Sequence, residues 1–149
     1  MDCLRLYPKQ YGLESNFKIH NFIEVEIGGR VLDLHNNFDF TGYQTDKFSN
    51  DINLYFKKSE GDWVPVNEVD SLIFTLKNVT YQKTIAPNQD LIKDDNCLAG
   101  ITYFYQEDRE ENYALLDKEL PDPQDDIIFT FESERVIRVN CENVTLTLM

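Results

Sequence analysis

A chain of 149 residues falls in the range of one domain, and its 42% hydrophobic, 13% aromatic and 28% charged side chains give a globular balance rather than a disordered one. Fourteen Lys and Arg against 27 Asp and Glu leave a formal net charge of −13. That excess excludes the basic stripe needed to replace counterions along nucleic-acid phosphates, disfavours anionic membranes, and favours a basic protein as partner.

Met1-Asp2-Cys3-Leu4 carries neither a basic segment nor an apolar one, so no secretory signal is expected and the cytoplasm is the expected location. No apolar run approaches the roughly 18 residues of a membrane span. Cys3, Cys97 and Cys141 are odd in number and widely spaced, which reads as free thiols. Without export, the glycosylation sequons at Asn78-Val79-Thr80 and Asn143-Val144-Thr145 have no consequence.

Ile23, Val25 and Ile27 alternate along one face, and after Gly28-Gly29 the pattern resumes with Val31 or Leu32 and then Leu34, which predicts a hairpin. Phe38 to Tyr43, following Asn36-Asn37, reads as a loop. Ile52 to Phe56 continues as a strand, and Ser59 to Asp62 turns the chain into Trp63 to Val66. Pro65 lacks a ladder donor, so that piece is an edge strand or an extended connection. Leu72 to Leu76 and Val79 to Gln82, joined by Lys77-Asn78, predict a second hairpin or a bulged strand.

Pro, Asn and Asp make 86–96 a surface loop, and Leu98 to Tyr105 a buried strand. Residues Gln106 to Leu116 are the helix candidate, with Asp108, Glu110 and Glu111 loading the first turns and Tyr113, Leu115 and Leu116 available to dock. Asp117 to Asp126, with two prolines and five acids, predicts an exposed loop. Ile127 to Phe131, Val136 to Val139 and Val144 to Leu148 read as a β-meander. The resulting expectation is one mainly β domain, 1–149: an antiparallel sandwich or open barrel with at most one or two short helices.

Catalytic patterns are missing. His20 and His35 have no second ligand at a metal-site spacing, so no zinc site is expected; His35 reads as a hydrogen-bonded histidine at a strand end, beside Asp33 and Asn37. Asp94, Asp95 and Asn96 would raise the Cys97 thiol rather than activate it, and Cys141 reads as core or turn filler. Neither G-x-S-x-G nor a glycine-rich phosphate loop occurs. Asp94-Asp95, Asp125-Asp126 and Glu110-Glu111 are adjacent acids that arise by chance in so acidic a chain, and Asp122 to Asp126 lacks the alternating calcium pattern. No catalytic residue, metal ligand or cofactor is therefore assigned.

What remains is recognition. Asp39 and Tyr43 in the aromatic stretch, Asp62 and Trp63 after a turn, and Asp94-Asp95 are the candidate partner-contact residues, because aromatic anchors beside acids suit a basic protein surface. The expected function is a protein-binding module of inhibitor or immunity type; the alternatives are a small-ligand or structural β domain, or a carboxylate-dependent hydrolase. A homodimer through an exposed sheet edge near Trp63 is a further expectation.

Overall fold

The computed structural model describes residues 12–111 and 114–149. Cys3, the Met1-to-Leu4 segment and Tyr113 lie outside them. Twelve strands occur among the described residues: β1 (Glu14–Ser15), β2 (Lys18–His20), β3 (Glu24–Ile27), β4 (Arg30–Asp33), β5 (Phe38–Asp46), β6 (Asp51–Lys58), β7 (Ser71–Lys77), β8 (Tyr81–Ile85), β9 (Leu98–Phe104), β10 (Asp126–Phe131), β11 (Val136–Asn140) and β12 (Asn143–Leu148). They form a five-stranded sheet in the order β1-β12-β7-β6-β5, a four-stranded sheet β8-β11-β10-β9 and a small sheet β2-β3-β4. Every pairing is antiparallel except β1 with β12. The result is a mainly β sandwich, as the alternation predicts, with no closed barrel among the described residues.

The large sheet buries alternate residues, as a one-sided sheet must. Ile52, Leu54 and Phe56 on β6, Leu72, Phe74 and Leu76 on β7, and Val144 and Leu146 on β12 face the core. Opposite them stand Ile127, Phe129, Ile137 and Val139, in the same apolar cluster. Ring contacts join the layers: Phe74 meets Phe129 edge to face at 5.3 Å, and Phe40 meets Phe131 at a tilt at 4.5 Å. In the Gly28-Gly29 hairpin both glycines have positive φ, as a two-residue turn between paired Ile27 and Arg30 requires. Its register buries Leu32 and Leu34 and leaves Val31 half exposed, which settles the sequence alternative.

Four local expectations are corrected. Phe38 to Tyr43 is not a loop: it is the start of β5, whose register slips between Phe40 and Gly42, where Gly42 at φ 137 makes a bulge. The runs on either side of Lys77-Asn78 do not pair with each other. Asn78, at positive φ, turns the chain out of the five-stranded sheet, and β8 joins β11 in the other. The terminal meander divides in the same way, since β12 leaves β11 and pairs with β7. Period two cannot distinguish a hairpin from a strand that changes sheets, because both keep the same residues facing one core.

The fourth correction concerns 106–116. Only a 3₁₀ turn at Gln106–Asp108 forms, and the segment from Ala114 onward lies as a strap over the outer face of the four-stranded sheet. Leu116 N–H donates to Thr102 Oγ1 at 3.0 Å, and Leu115 closes on Gly100 so tightly that a Cβ there would sit 3.0 Å from its methyl. That cover is why β10 and β11 are buried on both faces and read as continuous rather than alternating apolar runs. Arg138, fully buried on β11, anchors this segment to the sheet: its guanidinium donates to the carbonyls of Tyr105, Asp108 and Glu111, the first two of which also accept the local Asp108 and Glu111 N–H groups. Its charge is matched by the fully buried Asp126 at 2.8 Å.

Candidate functional site

One end of the sandwich is built from connections rather than strands. The β4–β5 link, the long β6–β7 link at 59–70, the Asn96-Cys97 lead into β9 and the β10–β11 turn at 132–135 meet there, tied by backbone bonds. Ser59 N–H donates to Asn37 O at 2.9 Å, Phe40 N–H to Asn96 O at 2.8 Å, and Glu132 N–H to Cys97 O at 2.9 Å. Segments distant in sequence are thereby held in fixed register on one face.

Trp63 stands out on this face because it is two-thirds exposed (67%) and yet fixed. Its Nε1–H donates to Asn36 O at 2.6 Å, and the ring lies on Gly61, where an added Cβ would come within 1.9 Å of it. Gly61 is thus required for close approach of the ring. Residues 59–70 form no strand, so the extended-connection reading of Trp63 to Val66 is the correct one, and the large sheet has its edges on β1 and β5.

The other candidate contact residues divide into engaged and open groups. Asp95 is engaged: Arg135 donates to both its oxygens at 2.9 Å and Ser133 Oγ–H at 2.6 Å, and the Arg135 hydrogen bonds hold its carboxyl below the usual range despite partial burial. Asp39 accepts from Ser59 Oγ at 3.0 Å. Asp62 and Asp94 are exposed. Tyr43 and Asp95 line an open groove of about 470 Å³ with Phe40, Lys93 and Arg135. Tyr43 and Asp95 thus share the groove, while Asp39 and Trp63 are tied to the neighbouring links through Ser59 and Asn36.

Sequence spacing misses the most chemical feature. His35 Nδ1 lies 3.5 Å from Cys97 Sγ and 3.9 Å from Glu132 Oε1, and the three donor atoms fall within 4.8 Å of one another. His35 Nδ1–H donates to Leu98 O at 2.6 Å; Asp33, its expected partner, instead accepts from Asn36. Cys97 is pushed up to about 11, mainly by burial and then by the charges of Glu132, Asp94 and Asp39. The direction is the one its acidic neighbours predict, but Glu132 is contributed from 35 residues away and Asp95 is occupied by Arg135. No local pattern could have signalled that grouping.

Asp122, Asp125 and Asp126 are structural. Lys118 Nζ bridges Asp122 and the buried Asp125, filling the loop considered for calcium with an ammonium group. Asp126 accepts from Arg109, Arg138 and Asn140. Burial alone would raise its carboxyl, but these three donors hold it below the usual carboxylate range. Cys141 is buried in the core with its thiol pushed up to about 12 by desolvation, as filler should be. No helix among the described residues is long and apolar enough to cross a membrane. No protein family, curated protein or solved structure matches this chain.

Proposed function

We propose that this chain is a protein-binding module that engages a basic protein through the Trp63 end of the sandwich, in the manner of an inhibitor or immunity protein. The observation that carries the reading is Trp63 itself: a large ring held rigid by Asn36 and Gly61 while mostly in solvent. An ordered aromatic side chain loses little entropy on contact, which is what a binding anchor needs. Around it, Glu60, Asp62, Asp94 and Glu132 are exposed acids on a chain of net charge −13, a field that speeds encounter with a cationic surface. The free Cys97 and Cys141 thiols support a reducing, cytoplasmic setting.

Trp63 is the only tryptophan, so its emission reports contact directly. Titration with a panel of basic protein domains is expected to give a saturable blue shift with at least one, and affinity that falls steeply with salt. Trp63→Ala is expected to lower that affinity by about 30-fold or more, the loss of a hot-spot residue. Equal affinity of the variant, salt-independent binding, or no response from any domain overturns the proposal.

A further inference from the structure

His35, Cys97 and Glu132 come from three separate segments, the β4–β5 link, the lead into β9 and the β10–β11 turn, and bring one nitrogen, one sulfur and one oxygen donor to a single point. At ordinary zinc bond lengths, tetrahedral geometry places a ligand sulfur and nitrogen about 3.5 Å apart and a nitrogen and oxygen about 3.3 Å apart. The Sγ···Nδ1 separation of 3.5 Å matches, but Nδ1 now faces Leu98 O at 2.6 Å, so the partly exposed imidazole must turn off that carbonyl for its lone pair to face a metal, and the three donors, now within 4.8 Å of one another, must close in together. The Nδ1···Oε1 separation of 3.9 Å needs a small rotation of Glu132, whose side chain is 48% exposed and has room for it.

From this geometry we infer that His35, Cys97 and Glu132 form a binding site for a divalent, zinc-like cation with one coordination position open to solvent. A borderline-soft ion suits mixed N, S and O donors, whereas magnesium and calcium take oxygen alone. The frame is rigid where it must be, since Glu132 N–H bonds Cys97 O and fixes the turn that carries the carboxylate against the segment that carries the thiol. Asp39 and Asp94 add negative potential at the sulfur, which favours a cation without contributing a donor to the triad. Binding exchanges protons in a defined way. The Cys97 thiol proton leaves to solvent as the S–metal bond forms, and the imidazole changes tautomer: the hydrogen now shared between Nδ1 and Leu98 O is lost to solvent, Nε2 takes one up, and the freed Nδ1 lone pair binds the metal. His35 and Glu132 are both partly exposed, which leaves the fourth position to solvent.

Cobalt(II) titration of the full chain under reducing conditions tests the site. The expected result is a thiolate-to-cobalt charge-transfer band in the near ultraviolet with visible bands of four-coordinate intensity, at one equivalent, bleached by zinc. Cys97→Ser is expected to abolish the charge-transfer band, and Glu132→Gln to weaken zinc binding by about tenfold, in the range of a perturbed metal site. Cys3→Ser and His20→Ala leave the signal intact. His20 is the sharper of these controls, because its two nitrogens also sit 2.8 Å from the carboxylates of Glu26 and Glu119. Circular dichroism of each variant confirms folding. Absence of the charge-transfer band in the wild type, its survival in Cys97→Ser, or its loss in Cys3→Ser overturns the inference. Trp63→Ala leaves metal binding unchanged, so this test and the partner test fail separately.

Discussion

Two polar clusters, one at each covered or open end of the molecule, show opposite solutions to placing charge in a β sandwich. Around Arg138 and Asp126 every strong donor and acceptor is matched: Asp126 takes bonds from Arg109, Arg138 and Asn140, Arg138 reaches three carbonyls, and the Arg109 guanidinium lies 3.6 Å over the Tyr81 ring. Around His35 and Cys97 the donors lie side by side, with a thiol among carboxylates and a single backbone carbonyl as the imidazole's close partner. Saturation identifies a structural device, because a buried charge is tolerated only when paired and hydrogen-bonded. Three metal-type donors converging at a partly exposed point, the imidazole and thiol held by carbonyl bonds, are the arrangement on which the proposed metal site rests.

That contrast is broken most forcefully at Arg138. Arg138→Met removes the buried charge facing Asp126 and the guanidinium donor to three carbonyls, and is expected to lower the unfolding free energy by about 3–5 kcal/mol, read from urea midpoints. The same cluster controls acid stability. Because the folded Asp126 carboxyl is depressed, its contribution is fully present above the unfolded value of about 3.9 and is lost as pH falls through the lower folded value. Urea midpoints of the wild type are therefore expected to drop below pH about 4, and Arg138→Met, lacking one of the groups that depress Asp126, to show a shallower drop.

Thr102→Val tests the strap at smaller scale. It keeps the shape of a fully buried side chain but strands Leu116 N–H, with an expected cost of about 1–3 kcal/mol. At the open end the expected stability effects are smaller again: Trp63→Ala and His35→Ala each fall within about 1 kcal/mol, because both side chains are partly in solvent. A loss at His35 as large as that at Arg138 would erase the distinction between the clusters.

Much of the fold was legible residue by residue. Gly28-Gly29 between alternating apolar residues could only be a tight hairpin, and Ile52-Leu54-Phe56 and Leu72-Phe74-Leu76 could only be one-sided strands. Gln106 to Leu116 misled because its acids suited a helix start, while Arg138, the side chain that ties the carbonyls of Tyr105 and Glu111 to the sheet, lies 27 to 33 residues away. Gly42 misled in the opposite sense, since a glycine that suggests a loop was accommodated as a bulge inside a nine-residue strand. Of the candidate contact residues, Trp63 was recognisable from turn chemistry alone, whereas Asp95 was not recognisable as engaged, because Arg135 reaches it across 40 residues.

Composition and periodicity by themselves determined that this is an acidic β protein with a shared apolar interior, because the alternation of side chains along a strand is a local property of the backbone. Only the tertiary structure decided which strands share a sheet, that the 114–118 segment covers a second face, and that His35, Cys97 and Glu132 meet. Those outcomes depend on long-range pairing, where loop closure brings together residues whose local sequences carry no mark of one another.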